Sequence, residues 1–232
     1  MVAKNIQNIK ENIEKTCLSI GRDSVNVKLI AVSKTFPAKK VLEALETETI
    51  DFGENYVQEL IDKRTIVAKS NIHWHFIGHL QSNKVKYIAD WIFLIHSVDS
   101  ENLAVEIQKR AEKANRVIDV LVEVNTSEEA TKFGVKPAKA IELITSVSQF
   151  PNINLKGLMT IGPFTDDKNA SRESFRVLKS IYDEANSTII AKKPMSELSM
   201  GMSHDYEIAI EEGSTLVRIG TAIFGSRTTN IN

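Results

Sequence analysis

The sequence repeats one pattern eight times: a short apolar segment, then a longer segment with apolar residues three or four positions apart. Short apolar runs are typical of buried strands, and the wider spacing is typical of amphipathic helices. The predicted strands are residues 27–35, 50–52, 73–77, 91–96, 117–124, 155–160, 197–200 and 215–219. Eight strand–helix units in succession predict an α/β fold of the closed (β/α)8 type, the TIM barrel.

An open doubly wound sheet has the same order of elements and is the structural alternative. Such sheets usually place a glycine-rich phosphate turn after the first strand. Here that position holds residues 34–37 (KTFP), which contain no glycine, so the pattern favours the barrel. An extra helix is predicted before the first strand, because residues 2–20 carry one apolar stripe. No linker or shift in composition divides the chain, and residues 1–232 are predicted to form a single domain.

Charge and cysteine content exclude several classes of function. The formal net charge is −1 at pH 7 and basic residues are interspersed with acidic ones, which argues against a nucleic-acid or membrane partner. Residues 1–15 alternate charged and apolar side chains, a pattern expected of neither a signal peptide nor a membrane span. Cys17, the only cysteine, fits a reducing compartment and a buried position on the first helix. A cytoplasmic location is therefore predicted.

The first strand ends in a lysine that is a candidate functional group. Residues alternate between the two faces of a strand, so Lys34 shares a face with Ile30 and Val32. An amine at the mouth of an apolar strand is partly desolvated, which favours the neutral base that attacks carbonyl groups. The alternative is a lysine that simply ends the strand in water. The first interpretation predicts a Schiff-base lysine.

The last two strand ends carry groups suited to an anion. In (β/α)8 barrels a phosphate is commonly bound by the loops after strands seven and eight. Gly220 and Thr221 follow the eighth strand, Ser203 lies in the loop after the seventh, and Arg218 shares a face with Gly220. Each of these residues also fits an ordinary turn or a structural ion pair. Together with an inward lysine they indicate a phosphorylated carbonyl compound.

The middle strands offer weaker candidates. Asn55, after the second strand, has an amide able to bind a ring hydroxyl or carbonyl. His73 and His75 share a face, but the sequence offers no evident third metal ligand, and packing or hydrogen-bonding roles are favoured. His204 and Asp205 resemble a hydrolase pair only superficially, because the flanking residues do not form a nucleophile elbow. No metal site is predicted.

Six segments of the sequence carry a resemblance that extends nearly from end to end. They are residues 31–34 (AVSK), 52–56 (FGENY), 74–84 (WHFIGHLQSNK), 157–160 (GLMT), 198–203 (LSMGMS) and 217–225 (VRIGTAIFG). With these segments the chain resembles the pyridoxal phosphate homeostasis protein family, whose members are single-barrel relatives of alanine racemase. The resemblance implies an alanine racemase N-terminal-like barrel that binds the cofactor pyridoxal 5'-phosphate (PLP).

The resemblance also implies a role for individual residues. Lys34 forms the internal aldimine, a Schiff base, with PLP. Six further residues surround the cofactor: Ser203, Gly220 and Thr221 at the phosphate, Arg218 at the pyridine nitrogen, and Asn55 and Met200 along the ring. No catalytic residue is implied.

A carrier or regulator of PLP is predicted in preference to an enzyme. A cationic arginine at the pyridine nitrogen disfavours its protonation and weakens the ring as an electron sink. Racemases with this barrel add a second domain, for which this sequence has no residues left, so an open site and a monomer are expected. Candidate partners are PLP itself and apo forms of PLP-dependent enzymes. The alternative is a PLP-dependent amino-acid racemase or another Schiff-base barrel enzyme, such as a sugar-phosphate aldolase.

Overall fold

The computed structural model describes residues 1–69, 71–127, 129, 132–188 and 193–226. Within these residues, eight parallel strands pair in sequential order and close into a barrel, which confirms the predicted (β/α)8 fold class. The strands are β1 (Lys28–Val32), β2 (Asp51–Glu54), β3 (His73–Phe76), β4 (Leu94–Val98), β5 (Ile118–Glu123), β6 (Ile153–Met159), β7 (Glu197–Ser199) and β8 (Leu216–Ile219). That residues 1–232 form a single domain stays a prediction.

Helices surround the barrel on its outer side. They are α1 (Val2–Ser19), α2 (Ala38–Leu45), α3 (Val57–Val67), α4 (Glu101–Lys113), α5 (Pro137–Ser148), α6 (Lys168–Ser187), α7 (Tyr206–Glu211) and α8 (Thr221–Phe224), with 3-10 turns at Ser24–Asn26 and Ser82–Tyr87. The extra helix α1 is present as predicted and packs against α7 and α8. Cys17 lies fully buried on its apolar face, where burial raises the pKa of the thiol. This position confirms the packing role predicted for Cys17.

Two strand ends differ from the predicted ends by three residues, the largest difference among the eight strands. β1 ends at Val32 rather than at residue 35, because Phe36 N donates to Ser33 O over 3.1 Å and closes a turn. β4 begins at Leu94 rather than at residue 91, because the residues before it still form a turn. In that turn the Ile92 amide donates back to Ile88 O over 2.8 Å. In both places a local backbone hydrogen bond replaces a bond between strands.

The core has two layers, which the alternation of residues along each strand separates. The larger layer lies between the strands and the helices. The inner layer fills the barrel with Ile30, Leu94, Leu121, Met159 and Leu216. Side chains on the same strand faces further toward the carboxyl ends therefore point to the mouth of the barrel. In the described ranges, no helix combines the length and the apolar character needed to span a membrane.

Candidate functional site

A cavity of about 290 Å³ opens at the carboxyl ends of the strands, where barrels of this type place their sites. Six of the seven residues predicted to contact a ligand line it: Lys34, Asn55, Ser203, Arg218, Gly220 and Thr221. A larger depression of about 450 Å³ lies at the amino ends of β5 and β6, but none of the predicted residues line it. The position in the fold and the lining both favour the smaller cavity as the candidate site.

Lys34 follows β1 by two residues and lines the cavity together with Val32. Ile30, two positions before Val32, packs in the inner core of the barrel. The three side chains therefore lie on the inward face of the chain, as the alternation of the strand predicted. Lys34 is half-buried, so its side chain borders the space that a ligand would fill.

A buried ionic cluster holds the turn that follows β1. Lys63 Nζ, on α3, donates to Ser33 O over 2.5 Å, to Glu54 Oε1 over 2.6 Å and to Glu59 Oε1 over 2.8 Å. The Ser33 hydroxyl donates to Glu54 Oε1 over 2.6 Å. The Thr35 amide donates to Glu59 Oε1, also over 2.6 Å. We call Lys63, Glu54, Glu59 and Ser33 the Lys63 cluster.

The Lys63 cluster stabilises an unfavourable backbone conformation. Thr35 has a φ of 67°, a left-handed conformation that costs energy for a β-branched residue. Its amide hydrogen bond to Glu59 and the contacts of Lys63 with Ser33 fix the backbone on both sides of Lys34. Burial raises the pKa of Glu54 to about 7, while the charge and hydrogen bond of Lys63 act in the opposite direction. The position of Lys34 therefore depends on residues from β2 and α3.

Arg218 places a cation at the base of the cavity. It lies on β8 with 4% of its surface exposed, and its guanidinium donates to Ser199 Oγ over 2.5 Å and to Thr160 O over 2.8 Å. Burial lowers the pKa of Arg218 to about 10, while Asp205 and Glu123 raise it. Because a pKa of about 10 still leaves the group protonated near neutral pH, Arg218 is a donor and never an acceptor there.

The loops after β7 and β8 form an open backbone surface next to Arg218. A Cβ atom on Gly220 would lie 3.2 Å from Val32 O, so a side chain at this position would press against the backbone of β1. The Ala222 amide donates to Ser203 Oγ over 3.3 Å, which joins the two loops. Gly220 and the exposed Thr221 begin α8, where amide groups point outward from the first turn. These donors suit an oxyanion such as a phosphate.

Asn55 contributes a buried amide oxygen to the cavity wall. Across the described ranges, no group donates to the buried Oδ1 of this side chain. An unsatisfied buried acceptor costs about 1–3 kcal/mol, which a hydroxyl or N–H group of a ligand would offset. The β3 loop approaches so closely that a Cβ on Gly78 would lie 2.4 Å from Asn55 O. Glycine at position 78, which has no Cβ, therefore allows the β3 loop to pack against the backbone of Asn55.

Met200 is the predicted residue that does not line the cavity. It is fully buried in the layer between the strands and the helices. Ser199, the preceding residue, points into the barrel and bonds Arg218, so alternation turns Met200 outward. A contact between Met200 and a ligand ring stays a prediction.

The cavity also has lining residues that were not predicted to contact a ligand: Ile77, Ile161, Phe164, Met202 and His204. Phe164 is 90% exposed and stands at the rim. The break at Gly162 and Pro163 after the sixth strand was a usable signal, because it placed the following residues at the carboxyl end of the barrel. The apolar lining suits the faces of a planar ring.

The histidines considered in the sequence have structural partners. His73 Nδ1 and His75 Nε2 each lie 3.0 Å from Asp51 Oδ1. In the part of the chain that the structure describes, no three His, Cys, Asp or Glu side chains are grouped so as to hold a metal ion. His204 Nε2 lies 3.3 Å from Asp205 Oδ2, and Asp205 Oδ1 accepts from the Met202 amide over 2.6 Å. Asp205 therefore supports the loop after β7.

The fold and the cavity together define a class: a parallel (β/α)8 barrel with a lysine after its first strand, and with a buried arginine and a glycine turn at its last strand. The family model described as alanine racemase, N-terminal domain, matches residues 5–228. The chain is 45% identical over 224 residues to the pyridoxal phosphate homeostasis protein of Aquifex aeolicus, covering 97% of each chain. It is 40% identical over 231 residues to the protein of that name from Vibrio cholerae, covering 97% of this chain and 96% of the relative.

A solved structure is also similar. PipY of Synechococcus elongatus, in a structure with PLP bound, is 30% identical, with a TM-score of 0.85. The comparison covers 97% of this chain and 100% of PipY. The chain belongs to the alanine racemase N-terminal domain family, in the group of the pyridoxal phosphate homeostasis proteins.

Proposed function

We propose that this protein binds PLP and takes part in PLP homeostasis. The observation that carries the proposal is that a single cavity joins the lysine after β1, the buried cation of Arg218 and the glycine-lined turn after β8. The names of the curated relatives and the PLP bound to PipY support the same cofactor. These relatives share almost the whole length of this chain.

The residues present fit the chemical groups of PLP. A primary amine suits its aldehyde, and the open backbone at Gly220 with the hydroxyl of Ser203 suits its phosphate. Oδ1 of Asn55, which accepts no hydrogen bond from the residues that the structure describes, suits a ring hydroxyl or an N–H group. An added Cβ at Gly220 would press against Val32, which also lines the cavity.

In this proposal each lining residue has one task. Bound PLP supplies an aldehyde that condenses with primary amines. Lys34 provides the attaching amine, and the Lys63 cluster fixes the turn from which it extends. When PLP is bound, Gly220, Thr221 and Ser203 would hold its phosphate, and Arg218 would face the ring nitrogen.

We further propose a carrier rather than an enzyme. Arg218 keeps its positive charge near neutral pH, and a cation next to the ring nitrogen opposes protonation of that nitrogen. An unprotonated ring withdraws electrons less effectively, which disfavours carbanion chemistry such as racemisation. Holding the aldehyde and releasing it to another amine places no such demand on the ring.

The test is the visible absorption of the purified protein before and after treatment with borohydride. The wild-type protein should be yellow, and borohydride should fix the cofactor to Lys34, as mass spectrometry of the peptides would show. Lys34→Ala should abolish both signals. Lys39→Ala is the matched control, because Lys39 is an exposed lysine on nearby α2, and it should retain both.

Other outcomes would favour the alternatives. A colourless protein that borohydride couples to a sugar phosphate would indicate an aldolase. Rapid interconversion of alanine enantiomers would indicate a racemase. If borohydride attaches PLP equally well to Lys34→Ala, the assignment of Lys34 is wrong.

We also propose that the protein acts in the cytoplasm as a monomer and passes PLP to apo forms of PLP-dependent enzymes. Sedimentation of the loaded protein tests the oligomeric state. Recovery of activity by an apo-enzyme separated from the loaded protein by a dialysis membrane, compared with recovery after direct mixing, tests whether transfer requires contact. Equal recovery in both arrangements would contradict direct transfer.

A further inference from the structure

A continuous series of hydrogen bonds crosses the barrel interior below Arg218. Its guanidinium donates to Ser199 Oγ over 2.5 Å, and that oxygen lies 2.9 Å from His96 Nδ1. His96 Nε2 lies 2.9 Å from His75 Nδ1, and His75 Nε2 lies 3.0 Å from Asp51 Oδ1. We call Ser199, His96 and His75 the interior line. All three are at most 2% exposed, so these bonds are shielded from bulk water.

The two ends of the series border different cavities. Arg218 lines the candidate PLP cavity at the carboxyl ends of the strands. Asp51 and His75 line a separate cavity of about 90 Å³ at the amino ends, together with Lys28 and Asp119. The interior line therefore connects opposite ends of the barrel.

The charged ends determine where the protons lie between them. The Asp51 carboxylate only accepts, so His75 Nε2 carries a proton and donates to it, which leaves Nδ1 of a neutral His75 as an acceptor. One proton fits between His96 Nε2 and His75 Nδ1, and because His75 Nδ1 accepts, this proton belongs to His96 Nε2. His96 Nδ1 then accepts from the Ser199 hydroxyl, whose oxygen accepts from Arg218, a group that only donates.

The electrostatics agree with neutral histidines and an ionised aspartate. Burial lowers the pKa of His75 and holds the pKa of His96 well below its ordinary value. Burial alone would raise the pKa of Asp51, but the hydrogen bonds from His75 and His73 produce a net lowering. Each polar atom along the interior line then has a partner of the correct type.

We propose that Asp51 sets the tautomers of His75 and His96 from the far end of the barrel, and that His96 is thereby a positioning residue for Arg218. The consequence for PLP rests on the proposed function, in which Arg218 would face the ring nitrogen of the cofactor. With His96 accepting at Nδ1, the Ser199 hydroxyl is turned away from Arg218 and leaves its oxygen to receive the guanidinium. In a reversed line His96 Nδ1 would donate to Ser199 Oγ, which would then accept from both His96 and Arg218 and lose the acceptor for its own proton, so the bond from Arg218 would be weaker.

The test measures the two tautomers by 15N NMR of the cofactor-free protein. In the wild type, both histidines should carry their proton on Nε2. Asp51→Asn keeps an acceptor at this position and should leave both tautomers unchanged. Asp51→Leu removes the acceptor and should shift His75 and His96 together toward Nδ1 protonation, because a single proton is shared between them. Asp119→Leu is the control: Asp119 lines the same small cavity but accepts from Asn154, outside the line.

Several results would overturn the proposal. One is a wild-type histidine of the line protonated at Nδ1, and another is an Asp51→Leu protein in which His75 changes and His96 does not. If Asp51→Leu does not fold, Ser199→Ala serves the same purpose. With Asp51 present, His96 in that variant should keep its proton on Nε2, and a change to Nδ1 would show that the Arg218 end sets the tautomers.

A second measurement separates this proposal from the proposed function. Asp51→Leu should lose PLP about fivefold faster than wild type, the effect expected from weakening one hydrogen bond to Arg218. Asp51→Asn and Asp119→Leu should both retain PLP as long as wild type does. An Asp51→Leu protein that holds PLP as long as Asp119→Leu overturns the positioning role. Failure of the wild type to bind PLP contradicts the proposed function and leaves the tautomer result intact.

Discussion

Two buried polar networks adjoin the cavity, one beside Lys34 and one below Arg218, and they differ in how they satisfy their buried polar groups. The Lys63 cluster, beside Lys34, uses an ammonium group and two carboxylates at distances of 2.6 and 2.8 Å. The interior line, below Arg218, uses a hydroxyl and two histidines that burial keeps neutral. The first network has charges in its centre, whereas the second has charges only at its ends.

The difference determines what each network can tolerate. A buried ion pair gains little net stability, but removal of one partner leaves a charge without compensation. A line of neutral dipoles loses about one hydrogen bond when one member is removed. The Lys63 cluster should therefore be the more sensitive to substitution, and the interior line should act on the position and orientation of Arg218 more than on stability.

The largest effect is expected from Lys63→Met. It leaves Glu54 buried without its cation, and breaking a buried pair of this kind costs about 3–5 kcal/mol in the free energy of unfolding. Urea denaturation measures this cost. Adding Glu54→Gln to Lys63→Met should recover much of the loss, because the remaining side chain is neutral and still accepts from Ser33.

Lys40→Met provides the matched control for this comparison. Lys40 lies 2.8 Å from Glu43, with 32% and 33% of the two side chains exposed. A pair as exposed as this contributes at most about 1 kcal/mol. If Lys63→Met destabilises the protein no more than Lys40→Met does, the Lys63 cluster is not formed as described.

The next effect concerns an acid on the Arg218 side. Glu123 is 3% exposed, and its pKa is raised to about 7, by burial first and by the charge of Asp99, while Arg218 lowers it. Its folded pKa lies above the ordinary value of 4.5, so the folded protein binds the extra proton and wild-type stability falls as pH rises through this window. Glutamine does not bind a proton in this pH range, so the Glu123→Gln protein should not show this loss of stability.

The difference in the free energy of unfolding, Glu123→Gln minus wild type, should therefore increase by roughly 2–3 kcal/mol as the pH rises from about 5 to about 8. Urea titrations at the two pH values measure the gain. Glu142→Gln is the control, because a hydrogen bond from Lys139 lowers the pKa of that exposed acid and keeps it outside the window. An equal gain in the control would assign the pH effect to general charge and not to Glu123.

The sequence was sufficient for the barrel and for the residues at strand ends. Eight units counted along the chain leave few topologies open, and the two-residue period of a strand places Lys34 with Ile30 and Val32 without knowledge of tertiary contacts. Barrels of this type commonly bind a phosphate with the loops after strands seven and eight, and Ser203 and Gly220, which lie in those loops, do line one cavity. Local geometry decides all of these positions.

The two networks could not be predicted in this way. Lys63 stands four residues after Glu59 on a helix, a pattern typical of an exposed ion pair, and only the packing of α3 against β2 and neighbouring elements buries it. His96 lies in a strand whose start was predicted three residues too early. Its partners His75 and Ser199 are 21 and 103 residues away along the chain. Contacts between distant strands leave no periodic signal in one sequence.

The smallest effect on stability is expected at the edge of the Lys63 cluster, with Glu59→Ala. Glu59 is 23% exposed, and Lys63 keeps Glu54 and Ser33 as partners, so the cost in unfolding free energy should stay below about 1 kcal/mol.

The same Glu59→Ala substitution should have a larger effect on local exchange. The Thr35 amide loses its 2.6 Å bond to a carboxylate, a charge-assisted bond that holds the left-handed turn next to Lys34. Hydrogen exchange at Thr35 should accelerate about tenfold or more, since bonds to charged groups contribute about 1.5–3 kcal/mol. Glu59→Gln, which keeps an acceptor oxygen, should show a smaller increase, and unchanged exchange in Glu59→Ala would mean that the network ends at Lys63 and does not reach the turn.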